Sequence, residues 1–234
     1  MSKTLIIDSR MYRQSKEKLL SMGYKLIEIT SQSFLDEPVS GHPDMFITKL
    51  DGKTFIDTAI HDLFTFVPER RIEQISAFSE NEIAKYPNDV KFNCAVVGNK
   101  IICNENYVAE QIMNYAAVNA YKIIHTNQGY AKCSTVIVDN NAVITEDNSI
   151  ESACINSGID VLKIDKGFIK LNGYDYGFIG GSCGLIENNI LAFNGCIEAH
   201  PQYNKIKTFC KNRGVEPVSL CNLPLYDVGS IIRL

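Results

Sequence analysis

The sequence lacks runs of lysine and arginine, and no stretch interleaves aromatic with basic residues. Its 23 lysines and arginines are outnumbered by 27 aspartates and glutamates, which gives a formal net charge of −4. Domains that bind nucleic acid present a clustered basic surface. We therefore expect no nucleic-acid partner.

Long apolar runs are also missing. No stretch approaches the roughly 20 apolar residues that cross a bilayer. The opening "MSKTLIIDSR" lacks the extended apolar segment of a secretory signal peptide. We expect neither a membrane association nor a signal peptide.

The eight cysteines include no CxxC pair and no metal-ligand spacing. We interpret them as reduced and mostly buried small side chains of a cytoplasmic protein. We predict no metal ion and no cofactor. With 234 residues, 45% of them hydrophobic, the chain is long enough to bury a core, and we predict a single domain over 1–234.

One module recurs along the chain: a strand, a two-residue turn, a second strand, a helix and a third strand. In "NCAVVGNKIIC" the turn is Gly98-Asn99, the helix is predicted over 106–118 and the third strand over 121–124. The next copy has its turn at Asn140-Asn141 and a helix from Asn148, with Glu151 as a capping-box partner. Glycine and asparagine tolerate the positive φ that tight hairpins require.

Two further copies complete the series. One has its turn at Asn188-Asn189 and a helix over 202–212, and the earliest has its turn at Asp51-Gly52 and a looser helical part near 68–85. The turns begin at 51, 98, 140 and 188, in steps of 47, 42 and 48 residues. Such regular spacing indicates an internal repeat.

The two ends supply a fifth copy. The N-terminus reads as strand, helix and strand, and "LYDVGSIIRL" at 225–234 reads as one strand. Pairing the first segment with the last would close a ring and remove exposed strand edges. The predicted fold class is therefore α/β, a five-bladed propeller of ββαβ units closed by its terminal segments.

This architecture resembles the pentein fold of guanidine-modifying enzymes, and the chain resembles an atypical bacterial family of that fold. The segment "YAKCSTVIVDNNAVI" (130–144) is similar to the hydrolase segment that begins His-Leu-Lys. "LYDVGSIIRL" is similar to the segment that carries the hydrolase nucleophile, and "HPDMFITKLDGKTFI" is similar, more weakly, to an early Pro-Asp segment. The resemblance implies a thiol that attacks a guanidinium carbon, a histidine for proton transfer and carboxylates that hold the cation.

The chain departs from that pattern at three places. The histidine falls on Tyr130, the nucleophile falls near Gly229 or Ser230, and a substrate carboxylate falls near Lys49. The resemblance therefore implies the fold but not the usual arginine-modifying reaction.

A different polar set stands at the starts of the repeated strands, which should ring the axis. As catalytic residues we predict Cys183, framed by glycines in "GGSCG", with His42 as base and Asp44, or alternatively Asp227, as orienting carboxylate. The predicted substrate-binding residues share polar side chains and positions near strand starts: Asp227, Lys132, Asn93 and Ser182. Two alternatives stay open, that the glycines around Cys183 only relieve crowding, and that Cys94, Cys133 and Cys183 form a Cys3His zinc site with His42.

Two functions follow from these residues. One is an enzyme that binds a small polar metabolite in an axial pocket and hydrolyses a C–N bond through a cysteine. The alternative is a non-catalytic pentein that binds a metabolite or protein partner with the same face, like the ribosome anti-association factor. The missing family residues favour the second, and a glycine-framed cysteine with a nearby histidine favours the first.

Overall fold

The computed structural model describes residues 3–79 and 81–234. These residues form five three-stranded sheets. In four sheets a hairpin supplies two antiparallel strands, and the third strand pairs in parallel with the second. The strands are β1 (Thr4–Asp8), β2 (Lys25–Ile29), β3 (Ile47–Leu50), β4 (Lys53–Asp57), β5 (Ile72–Ile75), β6 (Ala95–Val97), β7 (Lys100–Cys103), β8 (Lys122–His125), β9 (Thr135–Asp139), β10 (Ala142–Thr145), β11 (Asp160–Lys163), β12 (Cys183–Glu187), β13 (Ile190–Phe193), β14 (Glu216–Ser219) and β15 (Ile232–Arg233).

Helices connect the second and third strands of four sheets. They are α1 (Arg13–Ser21), α2 (Glu110–Val118), α3 (Asn148–Asn156) and α4 (Tyr203–Lys211). Each buries two residues that lie one turn apart on the same face: Ser15 and Leu19, Ile112 and Ala116, Ile150 and Cys154, and Ile206 and Cys210. No helix in the described ranges is long and apolar enough to cross a membrane.

The fifth sheet joins the two ends of the chain. β15 pairs antiparallel with β1, matching Leu5 with Arg233 and Ile6 with Ile232. The inner strands of successive sheets then contact one another, β6 with β9, β9 with β12 and β12 with β15. The predicted ring of five ββαβ units, closed by its terminal segments, is confirmed.

The four predicted hairpins all form, but the backbone conformation of two of the turns differs from the predicted one. Asp51, Gly52 and Gly98 adopt the left-handed backbone conformation that was expected of these turns, with φ of 41°, 78° and 58°. The two Asn-Asn turns do without positive φ, because a register shift in each hairpin accommodates the extra residue. The cap of α3 is Asp147, which accepts hydrogen bonds from the N–H groups of Ser149 and Ile150, and not the predicted Asn148–Glu151 pair.

The helix predicted near 68–85 is wrong. Asp57 caps a 3₁₀ helix over Thr58–Phe64 directly after β4, and Ile72–Ile75 forms strand β5. Position 80 of that stretch lies outside the described residues. The C-terminal strand is also shorter than predicted, because Gly229 and Ser230 adopt φ of 64° and 73° and turn the chain before β15. This turn carries Asp227 and Ser230 to the ring axis.

Candidate active site at the ring axis

The thiol of Cys133 lies at the centre of a buried polar network. Cys133 is two residues before β9, and only 3% of it is exposed. The fully buried Asn93 fixes its position: the amide oxygen accepts from the backbone N–H of Lys132 at 2.7 Å and of Cys133 at 3.3 Å. The Asn93 amide nitrogen donates to Asp44 O at 3.3 Å and to Cys133 Sγ at 3.5 Å. Asn93 therefore orients the thiol.

The Asp44 carboxylate accepts two of the hydrogen bonds in this network. Its Oδ2 accepts from Cys133 Sγ at 2.9 Å and from Ser230 Oγ at 2.9 Å. Lys132 Nζ donates to Ser230 Oγ at 2.8 Å. The short turn Pro43–Met45 that presents Asp44 is tied to the C-terminal segment, because Asp44 N donates to Gly229 O at 3.1 Å. Asp44 Oδ1 is buried and has no hydrogen-bond partner among the described residues, so the site has uncommitted acceptor capacity.

His42 and Asp227 face each other beside this thiol. His42 Nδ1 lies 3.8 Å from Asp227 Oδ1 and, within residues 3–79 and 81–234, has no hydrogen-bond partner. Asp227 is fixed by the backbone N–H groups of Phe178 and Gly229, at 2.9 and 3.0 Å. One donor atom from each of His42, Cys133 and Asp227 lies within 4.8 Å of the other two. We call these three residues the axial triad.

A cavity of about 260 Å³ leads from solvent to the axial triad. All three triad residues are at most 3% exposed, whereas Tyr174 is 48% exposed. The triad therefore lies at the closed end and Tyr174 at the mouth. Apolar and aromatic side chains dominate the rest of the lining, which comprises Val39, Tyr130, Leu171, Tyr174, Asp175, Tyr176 and Phe178. Among the described lining residues there is no lysine or arginine, and the carboxylates of the lining are those of Asp175 and Asp227.

Burial and neighbouring carboxylates set the protonation of these groups. Burial, followed by the negative charges of Asp44 and Asp227, raises the pKa of the Cys133 thiol well above its ordinary value. Burial likewise raises the pKa of Asp227, although nearby His42 opposes that rise. A cation bound in the cavity would offset the mutual repulsion of these negatively charged groups. Tyr130, in the cavity lining, is held in place by the hydrogen bond that its hydroxyl donates to Asp89 Oδ2 at 2.6 Å.

The structure brings together five of the seven predicted site residues: His42, Asp44, Asn93, Lys132 and Asp227. Of these five, His42 and Asp227 line the cavity. The other two, Ser182 and Cys183, belong neither to this network nor to the described lining. Ser182 is fully buried and its hydroxyl donates to Ile179 O. Cys183 packs in an apolar cluster with residues of β9, β10 and α4. Burial raises the pKa of its thiol to about 12.

The glycines around Cys183 allow close packing between chain segments. A Cβ at Gly181 would lie 2.0 Å from Asp227 Oδ1, and one at Gly184 would lie 1.9 Å from Ile231 O. Gly181 therefore makes room for a triad carboxylate, and Gly184 for the last segment of the ring. The role of Cys183 as nucleophile stays a prediction, but its geometry does not place it at the cavity.

Sequence reasoning assigned no catalytic role to Cys133 and did not anticipate the aromatic lining. The available signal was the position of Cys133, directly after Lys132 in the segment similar to the hydrolase motif. The Cys3His alternative is not assembled, because Asp227 accompanies His42 and Cys133 while Cys94 packs in another cluster. Lys49, expected near the substrate, does not line the cavity; its amine donates to Arg233 O.

Comparisons with solved structures agree with the ring. DDAH from Pseudomonas aeruginosa, a cysteine-to-serine mutant with citrulline, has a TM-score of 0.59 at 10% identity over 94% of this chain and 92% of that chain. An amidinotransferase of saxitoxin biosynthesis from Microseira wollei has a TM-score of 0.53 at 8% identity over 95% and 89%. A substrate-bound agmatine deiminase mutant from C. jejuni has a TM-score of 0.54 at 10% identity over 99% and 93%.

The fold is thus the pentein fold that these guanidine-modifying proteins share. Residues 6–232 match a family described as a family of unknown function (DUF6873), and the chain belongs to that family. No curated protein matches the sequence.

Proposed function

We propose that the axial cavity binds a small cationic compound, such as a guanidine or amidine, and that Cys133 cleaves one of its C–N bonds by hydrolysis. The observation that carries the proposal is the axial triad itself: a thiol, an imidazole and a carboxylate within 4.8 Å, at the closed end of a cavity. The similarity to pentein proteins crystallised with citrulline or with a substrate supports this choice of ligand class.

The cation would be held by charge and by aromatic faces. The Asp227 carboxylate lines the closed end, and Tyr130, Tyr176 and Phe178 line the path to it. Tyrosine and phenylalanine rings attract cations through their π-faces, and the attraction grows when the cation is desolvated. The cavity volume of about 260 Å³ suits a compound of a few heavy atoms in its inner part.

The covalent step uses contacts already in place. The thiol proton of Cys133 passes along the 2.9 Å hydrogen bond to Asp44, and the sulfur attacks the carbon of the bound cation. A carbon–sulfur bond forms as the carbon–nitrogen bond breaks, and the leaving nitrogen takes a proton from protonated His42. Water then attacks the same carbon and gives one proton to His42, which is thereby restored. The carbon–sulfur bond breaks, the departing sulfur takes back the proton held by Asp44, and the product is released. Asp227, 3.8 Å from His42, stabilises the imidazolium.

One observation favours a second function, binding without turnover. The pKa of the Cys133 thiol is raised by burial and by Asp44 and Asp227, and a thiol held protonated is a poor nucleophile. In that case the cavity would bind the same cationic ligands without cleaving them.

A turnover screen separates the two functions. Purified protein is incubated with a panel of small guanidines and amidines, and the released ammonium is measured. The protein in acid-quenched samples is then analysed by mass spectrometry to detect a covalent adduct. We expect ammonium release that disappears in Cys133→Ser and persists in Cys183→Ser. Thermal stabilisation by the panel with no ammonium and no adduct would support binding alone, and the absence of both would contradict the proposal.

A further inference from the structure

We propose that the axial triad of His42, Cys133 and Asp227 is also a binding site for Zn²⁺, whose occupancy excludes the cationic ligand and blocks the Cys133 sulfur. This inference goes beyond the proposed hydrolysis, since metal binding requires no turnover. It rests on the positions, burial and chemistry of three side chains that three different segments of the ring bring together.

The donor set fits zinc. Imidazole nitrogen, thiolate sulfur and carboxylate oxygen are the ligand types that bind Zn²⁺, whereas Mg²⁺ and Ca²⁺ prefer oxygen alone. His42, Cys133 and Asp227 are 1%, 3% and 1% exposed, so the ion would be shielded from water on the protein side. Three protein ligands are also the number that zinc sites with an open coordination position use.

The spacing is close to that of a tetrahedral site. With Zn–N and Zn–S bonds of about 2.0–2.3 Å, two ligand atoms lie about 3.3–3.7 Å apart. His42 Nδ1 and Asp227 Oδ1 are 3.8 Å apart, and one donor atom from each of the three residues lies within 4.8 Å of the other two. Side-chain rotations that bring the donor atoms closer by up to about 1–1.5 Å would complete the geometry. His42 Nδ1 is buried and makes no hydrogen bond in the described part of the chain, so no described hydrogen bond is lost when it turns to a metal.

Surrounding groups would hold the ligands in place. Asp227 accepts from the backbone N–H groups of Phe178 and Gly229, and Cys133 Sγ accepts from the Asn93 amide. Such outer contacts orient metal ligands and are part of ordinary zinc sites. The fourth position would face the cavity, where a water molecule could occupy it.

Charge also favours a divalent ion here. Zn²⁺ is neutralised by the Cys133 thiolate and the Asp227 carboxylate, and the displaced thiol proton passes along the existing hydrogen bond to Asp44. The Lys132 amine donates a hydrogen bond to Ser230, and Lys132 is not among the described residues that line the cavity. Its ammonium group therefore does not occupy the position proposed for the metal ion. A bound zinc ion would then occupy the place of the cationic ligand and consume the sulfur lone pair that would attack it.

The experiment must separate this site from other thiols. Cys196 and Cys221 are partly exposed, so all measurements use a Cys196→Ser/Cys221→Ser background, which we call the surface-cysteine variant. Zn²⁺ affinity and stoichiometry are measured by competition with a chromophoric chelator. Co²⁺ is added to the same protein to detect thiolate-to-cobalt charge-transfer absorption.

We expect one Zn²⁺ per chain and a charge-transfer band with Co²⁺. His42→Ala, Cys133→Ala and Asp227→Asn should each weaken Zn²⁺ binding by at least about 100-fold. Cys183→Ala, which removes a buried thiol outside the triad, should leave binding unchanged. Absence of stoichiometric Zn²⁺ binding or of the cobalt band in the folded surface-cysteine variant would overturn the proposal. Binding that survives Cys133→Ala would also overturn it, whether or not the protein has hydrolytic activity.

Discussion

Glu146 makes the stability of this protein depend on pH in a direction opposite to that of most carboxylates. The residue follows β10 directly and is 7% exposed. Its Oε2 accepts from Ile179 N at 3.1 Å, and its Oε1 has no hydrogen-bond partner in the ranges that the structure describes. Burial, with a smaller contribution from the Asp227 carboxylate, raises its pKa from 4.5 to about 8, against the opposing effects of the Ile179 N–H and Lys163.

The sign of this pH dependence follows from the number of protons that the folded and unfolded states bind. Between pH 4.5 and about 8 the folded protein keeps the Glu146 proton and the unfolded chain does not. The free energy of unfolding therefore falls as pH rises through that window and levels off above it. At 1.36 kcal/mol for each pKa unit, the full change is on the order of 3–5 kcal/mol. Asp147, Lys163, Asp165 and Lys166 line the adjoining groove and set the local field in both wild type and variant.

Glu146→Gln isolates this contribution, because glutamine keeps the acceptor for the Ile179 N–H and cannot ionise. Urea unfolding at several pH values across the window should give a steeper decline for the wild type than for Glu146→Gln, with the variant more stable near pH 8. Glu82→Gln, which changes an exposed residue outside the helices and strands, serves as the control and should retain the wild-type slope. Identical slopes for wild type and Glu146→Gln would refute the reasoning.

Three further predictions concern the ring and its cysteines. Deleting 225–234 removes β15 and opens the ring, so the cooperative thermal transition should be lost; a transition near the full-length temperature would contradict ring closure as a stabilising element. The protein should not convert arginine, agmatine or methylarginines into ureido products, because Tyr130 stands where the resemblance places the histidine and donates a hydrogen bond to Asp89. Turnover above about 1 per second in a product assay would overturn this interpretation of Tyr130. Cys183→Ala should lower the free energy of unfolding by about 1–2 kcal/mol through the lost buried sulfur while the modification rate of Cys133 is unchanged; a fully stable variant with a less reactive Cys133 would indicate a functional role for Cys183 instead.

The ring was predictable because its signals are local and repeated. Turn dipeptides at Asp51, Gly98, Asn140 and Asn188 each join the two strands of a hairpin, and their even spacing reveals the repeat. The weakest copy was the first, where 3₁₀ turns replace the regular helix and the periodic pattern fails. Short 3₁₀ segments carry no amphipathic period from which a sequence could predict them.

The choice between Cys133 and Cys183 was not predictable for a physical reason. Both cysteines precede or begin an inner strand, and a shift of one residue in register moves a side chain to the opposite face. Cys183 begins β12 and turns into the apolar core, whereas Cys133 lies in the turn before β9 and points to the axis. The aromatic residues Tyr174 and Tyr176 lie in a loop, whose course depends on tertiary contacts that no local pattern encodes.

The most direct test of the axial site is a comparison of two alkylating reagents that differ in charge. 2-Chloroacetamidine is cationic and 2-chloroacetamide is neutral, and a thiolate displaces chloride from either. Each reagent is applied to the surface-cysteine variant, the labelled cysteine is identified by peptide mass spectrometry, and the rates are divided by those for free glutathione. We predict that Cys133 carries the label and that the cationic reagent is favoured by at least about tenfold, a preference reduced in Asp227→Asn. Label on Cys183, or equal normalised rates for the two reagents at Cys133, would contradict a cation-binding site with Cys133 at its closed end.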